Sequence, residues 1–233
     1  MPDRTVLPPS LPPRGLTDIC GDSSLVEHPV LPEGGGSIPT SPLQRLRKSE
    51  WTVSGVDQDI AYRLVAAEHY AKGASNTATY LHGLYPANWH WYSQCVGVAW
   101  WIPPTRSAAE AWAGEQWEGV LALSRLVIEP GIPKNACSYL LSKSVRLIDR
   151  RRWHTLVTYA DSWRGHTGSI YLACGWEYAG ETAPEAVYTL NGRMTARKAG
   201  GRTRTHHDML ALGCAFEGRH PKARFVLRGL SRG

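Results

Sequence analysis

Three places in the chain bring together side chains that can do chemistry. The first is the segment Glu129-Pro130-Gly131-Ile132-Pro133-Lys134-Asn135-Ala136, where an apolar run from Leu121 to Ile128 meets a long helical pattern. A strand, a tight turn and a helix start together offer backbone N–H groups and the positive end of a helix dipole to a phosphate. Two closely spaced glycines usually let the backbone approach the anion; here Lys134, Asn135 and Ala136 stand instead. Phosphate binding at this loop therefore rests on the helix N-terminus, with Lys134 as a point charge and Asn135 or Ser138 serving the helix start. The second place is Asp161, at the end of the strand-like run "LVTYAD", where α/β sheets gather ligands. Its carboxylate either accepts a proton and orients an amine, or caps the turn that follows. The third is His69-Tyr70, at the end of a helical stretch stopped by Gly73. Neighbours on a helix point about 100° apart, so both can address one pocket. The imidazole is then a proton carrier or a metal ligand, and otherwise a structural residue.

A further group, His206, His207, Asp208, Cys214 and His220, has spacing that fits no standard zinc template. The surrounding segment "RKAGGRTRTHH" reads more naturally as a flexible basic loop that contacts phosphates, its paired glycines letting the backbone come close to a groove.

Charge supports that reading. The chain of 233 residues carries a formal net charge of +6. Residues 193–233 hold ten Lys/Arg against two acidic residues, so the last fifth carries more than the whole excess. Such a segment suits a polyanion, nucleic acid first, or else simply keeps the protein soluble. Ten Trp and ten Tyr stand against two Phe, a balance suited to stacking planar ligands through large faces with a polar edge. Five cysteines lie singly, with no C-x-x-C, as expected of reduced thiols in a cytoplasm. No apolar run approaches the ~20 residues of a membrane-spanning helix, and the N-terminus lacks the apolar stretch of a signal peptide.

The elements that must position these groups begin near Trp51. Residues 1–50 hold nine of the sixteen prolines and three consecutive glycines, and read as an extended arm. Residues 57–72 form a helix capped by Asp57, with Ile60, Leu64, Ala67 and Ala71 on one face. Residues 73–94 read as a loop-rich stretch, and "CVGVAWWIP" as a buried strand closed by prolines. A helical linker, a long strand "WEGVLALSRLVIEPG", a helix over 135–150, a strand over 153–162 and a short helix within 165–176 follow. "EYAGET", "AVYTLNGRM" and "ARFVLRG" close the chain as strands. The order predicts a mixed α/β sheet with one helix crossing between strands.

Two segments carry a resemblance. "LALSRLVIEP" followed by a helix, then "LVTYADS" and "SIYLACGWEYAGE", is similar to the GNAT acyltransferase pattern. In that family the loop after the fourth strand holds the coenzyme A pyrophosphate, and a later helix carries a tyrosine followed by Gly and an aromatic, as in Tyr171, Gly175 and Trp176. Longer stretches, "YADSWRGHTGSIYLACGWEYAG", "LSRLVIEPGIPKNACSYLLSKSVRLI", "GRMTARKAGGRTRTHHDMLALGC" and "AEHYAKGASNTATYLHGLYP", strongly resemble the Mom proteins of Mu-like bacteriophages, from roughly Trp51 to Val226. These are a divergent GNAT-like branch that converts adenine in DNA to its N6-carbamoylmethyl form and so shields phage DNA from host restriction enzymes.

The resemblance implies a GNAT-like domain over residues 51–233, with the basic segment 193–233 on DNA and the arm 1–50 outside the match. It implies a catalytic acid at Tyr171, which can return a proton to a departing thiolate, with Asp161, His69, Tyr70 and Ser124 beside it. Arg125, Lys134, Asn135, Ala136 and Ser138 would meet acetyl-CoA. Arg197, Lys198, Arg202, Arg204, Lys222 and Arg224 would meet double-stranded DNA. The target base would leave the duplex and stack on Trp89, Trp91 or Tyr85. In the product N6 is joined to a methylene carbon, which ordinary acetyl transfer does not explain. Iron held by His69, Tyr70 and Asp161 is one way to activate a methyl group. The expected setting is the cytoplasm of the infected host, without a membrane; a homodimer is compatible with these features. The rival expectations are a GNAT-type N-acetyltransferase for a protein or small amine, and a DNA-binding protein that kept the fold without catalysis.

Overall fold

Seven strands form the main sheet, and two tryptophans at its centre show how it is covered. The computed structural model describes residues 45–69, 73–87, 94–199 and 201–229, so most of the expected arm lies outside the described residues, as do Tyr70, Trp89 and Trp91. The chain runs β1 (Trp51–Gly55), α1 (Gln58–Glu68), β2 (Tyr80–Pro86), β3 (Gly97–Ile102), α2 (Arg106–Ala113), β4 (Val120–Ile128) and α3 (Ala136–Leu147). It continues through β5 (Thr155–Asp161), α4 (Ser169–Ala173), β6 (Glu177–Glu181), β7 (Glu185–Leu190) and β8 (Arg193–Met194). Then come β9 (Lys198–Ala199), β10 (Arg202–Thr203), α5 (His206–Ala211), β11 (Ala215–His220) and β12 (Lys222–Arg228). The sheet order is β1-β2-β3-β4-β5-β12-β6, and every pairing is antiparallel except β4 with β5. It is the mixed α/β sheet that the sequence predicts.

Side chains alternate across a strand, so Trp100 and Trp101 of β3 face opposite ways, and both are fully buried. Trp100 packs with Ala61, Leu64 and Val65 of α1. Trp101 packs with Leu140 and Leu141 of α3 and stacks on Trp176 at 6.4 Å. Helix α2 covers Val120, Ala122, Val157 and Val226. Under α3 lies a buried polar trio: Trp101 Nε1 donates to Ser144 Oγ at 2.8 Å, and Ser144 Oγ lies 2.7 Å from His82 Nδ1. The serine oxygen, with two lone pairs and one proton, can serve both partners. Burial pushes the pKa of the His82 imidazole down to about 4, so the ring is neutral at pH 7.

Three local expectations differ from the structure. The first helix ends at Glu68, with His69 already extended at φ −85° and ψ 135°, and Asp57 sits at its N-cap without a side-chain cap bond. The stretch expected as loop contains β2, which pairs on both edges, with β1 and β3. The basic stretch expected as a flexible loop contains the short β9–β10 ladder. Beside it β11, β7 and β8 form a second small sheet, on which α5 buries Met209 against Tyr188 and Cys214. A reciprocal capping box between Thr205 and Asp208 starts α5.

Candidate active site

The site is made where the sheet fails to close. The parallel strands β4 and β5 share three residue pairs, Val120 with Thr155, Leu121 with Leu156 and Ala122 with Val157, and no more. Beyond that point one side-chain bond spans them, from Thr158 Oγ1 to the Leu123 carbonyl at 3.2 Å. At the same level β4 carries a bulge. Trp100 pairs with Arg125 and Trp101 with Leu123, so Ser124 is the extra residue. A bulge bends its strand and re-aims a side chain; here it turns β4 away from β5. The resulting cleft encloses about 590 Å³.

Ser124, Asp161, Tyr171 and His69 all line this cleft, contributed by β4, β5, α4 and the end of α1. The chain separates them widely, and only the splayed sheet brings them to one surface. Tyr171 is half-buried, its ring 5.1 Å from Phe225 and 5.8 Å from Trp176. Its helix starts at Gly168, with φ +73°, where an added Cβ would run into the Phe225 ring. Gly168 therefore lets the loop settle on Phe225 and fixes the height of Tyr171, a role not foreseen from the sequence. Asp161 is 6 % exposed, and among the described residues no hydrogen-bond donor reaches its carboxylate. Its carboxylate oxygens are not among the buried atoms left without a partner, so the side chain opens to the cleft it lines, where water or a ligand N–H can meet it. It caps the turn only through its backbone carbonyl, which accepts from His166 N at 3.2 Å.

The expected cofactor residues are arranged unevenly. Lys134 is exposed and Ala136 fully buried. Asn135 Oδ1 accepts from Leu46 N at 2.7 Å, and Ser138 Oγ donates to the Asn135 carbonyl at 3.0 Å. Arg125 donates through Nε to the Gly73 carbonyl at 2.8 Å and through Nη1 to the carbonyl and hydroxyl of Ser124. These three side chains are engaged within the protein, and none of the five expected cofactor residues lines the cleft. Cys137, from the same turn, lines the cleft. Burial, with Cys174 nearby, pushes its pKa up to about 12, so it stands as a neutral thiol rather than a thiolate nucleophile.

Among the described residues no three His, Cys, Asp or Glu side chains converge to hold a metal. His69 and Asp161 thus lack a third such ligand, and the iron expectation finds no support in this geometry. Several of the basic residues expected on DNA are tied into the fold. Arg224 donates through Nε and Nη2 to the Ala179 carbonyl and lies 5.0 Å from the Trp112 ring. Arg197 donates twice to the Arg204 carbonyl, and Lys222 pairs with Glu185 at 3.0 Å. Arg202 lies 3.7 Å from Asp208, and Lys198 is exposed. Tyr85 lines neither the cleft nor the second cavity described below; its hydroxyl donates to the Gly55 carbonyl at 3.3 Å.

A mixed sheet opened between two parallel strands, with a polar cleft in the opening, defines the class of the molecule. The family model described as the Mom protein family matches residues 50–216. The chain belongs to that family, the phage DNA-modification family its motifs resemble. No curated protein matches the chain. Similar solved structures include the ribosomal-protein-S18-alanine N-acetyltransferase of Escherichia coli, with 12% identity over 78% of this chain and 96% of that one, TM-score 0.45. The spermidine N-acetyltransferase of Vibrio cholerae with CoA and spermine has 11% identity over 77% and 96%, TM-score 0.48. A GNAT family acetyltransferase of Elizabethkingia anophelis with acetyl-CoA bound has 11% identity over 78% and 99%, TM-score 0.44. Among the described residues no helix is long and apolar enough to cross a membrane.

Proposed function

We propose that this protein is a transferase that uses a coenzyme A thioester to convert adenine in double-stranded DNA to its N6-carbamoylmethyl form, in the cytoplasm of an infected host, so that phage DNA escapes restriction. One observation carries the reading: in a chain of the Mom family, Ser124, Asp161, Tyr171 and His69 line a single cleft between two splayed strands. The cleft suits the cofactor on its own terms. Its walls are the open edges of β4 and β5, which can bond an amide-bearing arm, and Cys137 brings the first turn of α3 to its lining, so that helix start is the candidate for the pyrophosphate.

The bound thioester supplies an activated two-carbon unit. Relative to acetyl-CoA and adenine, the product has gained one amide nitrogen and has lost one hydrogen from the methyl carbon and one from N6, where the new C–N bond forms, while the thiol leaves as free coenzyme A. An ammonia-class donor and a two-electron oxidant therefore complete the balance. The protein's residues bind, orient and move protons. Asp161 accepts a hydrogen bond from the exocyclic amine and holds it against the cleft. The Tyr171 hydroxyl returns a proton to the departing sulfur, Ser124 bonds the reacting carbonyl, and His69 carries protons at the cleft edge.

Mass spectrometry of nucleosides from DNA co-expressed with the full chain tests this. A carbamoylmethyl-adenine peak is the expected result. Unmodified DNA alongside an acetylated protein or amine would move the protein to the ordinary N-acetyltransferases, and DNA binding with neither product would leave it a binding protein.

A further inference from the structure

A second cavity, of about 480 Å³, lies on the other side of Asp161. Its walls come from β7, β11 and the segment 194–197, a part of the chain that the active-site reading does not use. Asp161 lines both cavities, and β12 places Lys222 directly opposite it. The mouth is cationic: Arg197, Arg219 and Lys222 line it, against Glu185, which already pairs with Lys222. Arg219 is exposed and makes no ion pair among the described residues. Val187, Met194 and Tyr188 also line the cavity; Tyr188 is 2% exposed, and its hydroxyl lies 2.7 Å from His206 Nδ1.

Those features specify an occupant. The volume is in the range that takes a small molecule or one monomer of a polymer. The apolar side chains among that charge suit a flat, weakly polar ring. The cationic mouth wants negative charge on either side of it, as in a nucleotide still attached to its chain. At the end shared with the cleft stands the Asp161 carboxylate, an acceptor that suits an amine. We infer that the cavity between β7, β11 and Asp161 is the seat of a single nucleotide swung out of the DNA duplex, with its exocyclic amine against Asp161 and a flanking phosphate on Arg219. The inference rests on the DNA-adenine reading above and deepens it. The donor enters from the β4–β5 side and the acceptor from the β7–β11 side, and the two meet at Asp161.

Two variants of the full chain test it against duplex DNA, with permanganate as the probe. A thymine whose adenine partner has left the stack reacts with permanganate, so bound wild type should make the thymines opposite target adenines reactive. Met194→Trp fills the cavity at a residue already 39% exposed. It should leave duplex affinity within about twofold yet abolish both permanganate reactivity and adenine modification. Arg219→Glu should weaken duplex binding at least tenfold, with Arg219→Lys restoring most of it. In both, coenzyme A affinity by calorimetry and the melting temperature should match wild type. If Met194→Trp still exposes thymine and modifies adenine, the seat is elsewhere even though the DNA reading stands. A wild type that binds no duplex overturns that reading and the seat with it.

Discussion

The two cavities that meet at Asp161 are built on opposite principles. The cleft between β4 and β5 is a matter of backbone: a ladder that stops after three pairs, a bulge at Ser124 and a glycine under Phe225 set its shape. The second cavity is a matter of side chains, charged and apolar groups carried in part by a small satellite sheet. Shape set by backbone is insensitive to salt and intolerant of added atoms. Recognition by surface charge is the reverse. On the proposed reading, the pair would fix a donor rigidly while meeting a polymer through screened, adjustable contacts.

The largest expected effect separates chemistry from shape in the cleft. Tyr171→Phe keeps the ring against Phe225 and Trp176 and removes the hydroxyl. Modified adenine in co-expressed DNA should fall about 10²–10⁴-fold, as for loss of a general acid, with the melting temperature nearly unchanged. Full modification by this variant would end the acid assignment. Asp161→Asn should be equally inactive while folding normally. Gly168→Ala attacks the shape instead. It puts a methyl into the Phe225 ring at a positive φ, which should cost about 2–4 kcal/mol and lower the melting temperature by several degrees; an unchanged melting curve would refute the packing argument.

On the charged side, Arg202→Ala with Arg204→Ala should reduce the slope of log affinity against log salt by about one to two, similarly for all sequences. Coenzyme A binding should not follow. If the slope is unmoved, the β9–β10 hairpin is not a phosphate contact. A smaller effect runs through His82. Its folded pKa is depressed to about 4, against 6.5 for an unperturbed imidazole, so the unfolded chain binds more protons between those values. This contribution to stability is full above pH 6.5 and is lost as pH falls toward 4. His82→Gln should flatten the melting-temperature profile in that window, and an unaltered profile would show that the imidazole does not titrate there. Smallest is Lys134→Ala. As an exposed charge it should contribute about 0.5–1 kcal/mol, weakening coenzyme A binding some two- to fivefold by calorimetry.

What could be read in the sequence follows the same division. The stretch from Leu121 through Ala136 to Asp161 was legible because its apolar periods and its turn are local. Ser124 and Asp161, singled out within it, line one cleft. Strand β2 was not legible, because "YLHGLYP" mixes a glycine, a histidine and a proline into its pattern, and its stability comes from pairing on both edges. The employment of arginines was not legible either. Nothing local in "KARFVLRG" tells that Arg224 spends its guanidinium on Ala179, 45 residues earlier. Asn135 looked like a cap and is instead the clasp for Leu46, 89 residues away. Gly168 had a signal that could have found it: a glycine immediately before a short helix, in a segment with no other reason for one.

The stopped ladder between β4 and β5 has a consequence in hydrogen exchange. Amides along a strand point alternately to one neighbour and the other. Past Ala122, those of β4 that face β3 are locked in a ladder, and those that face the gap have no strand to donate to. A single strand should thus show slow and fast amides with a period of two in the free protein, interrupted by one residue at Ser124. A thioester arm lying along the gap would slow the fast set alone and erase the alternation, so the depth to which it disappears measures how far the ligand reaches.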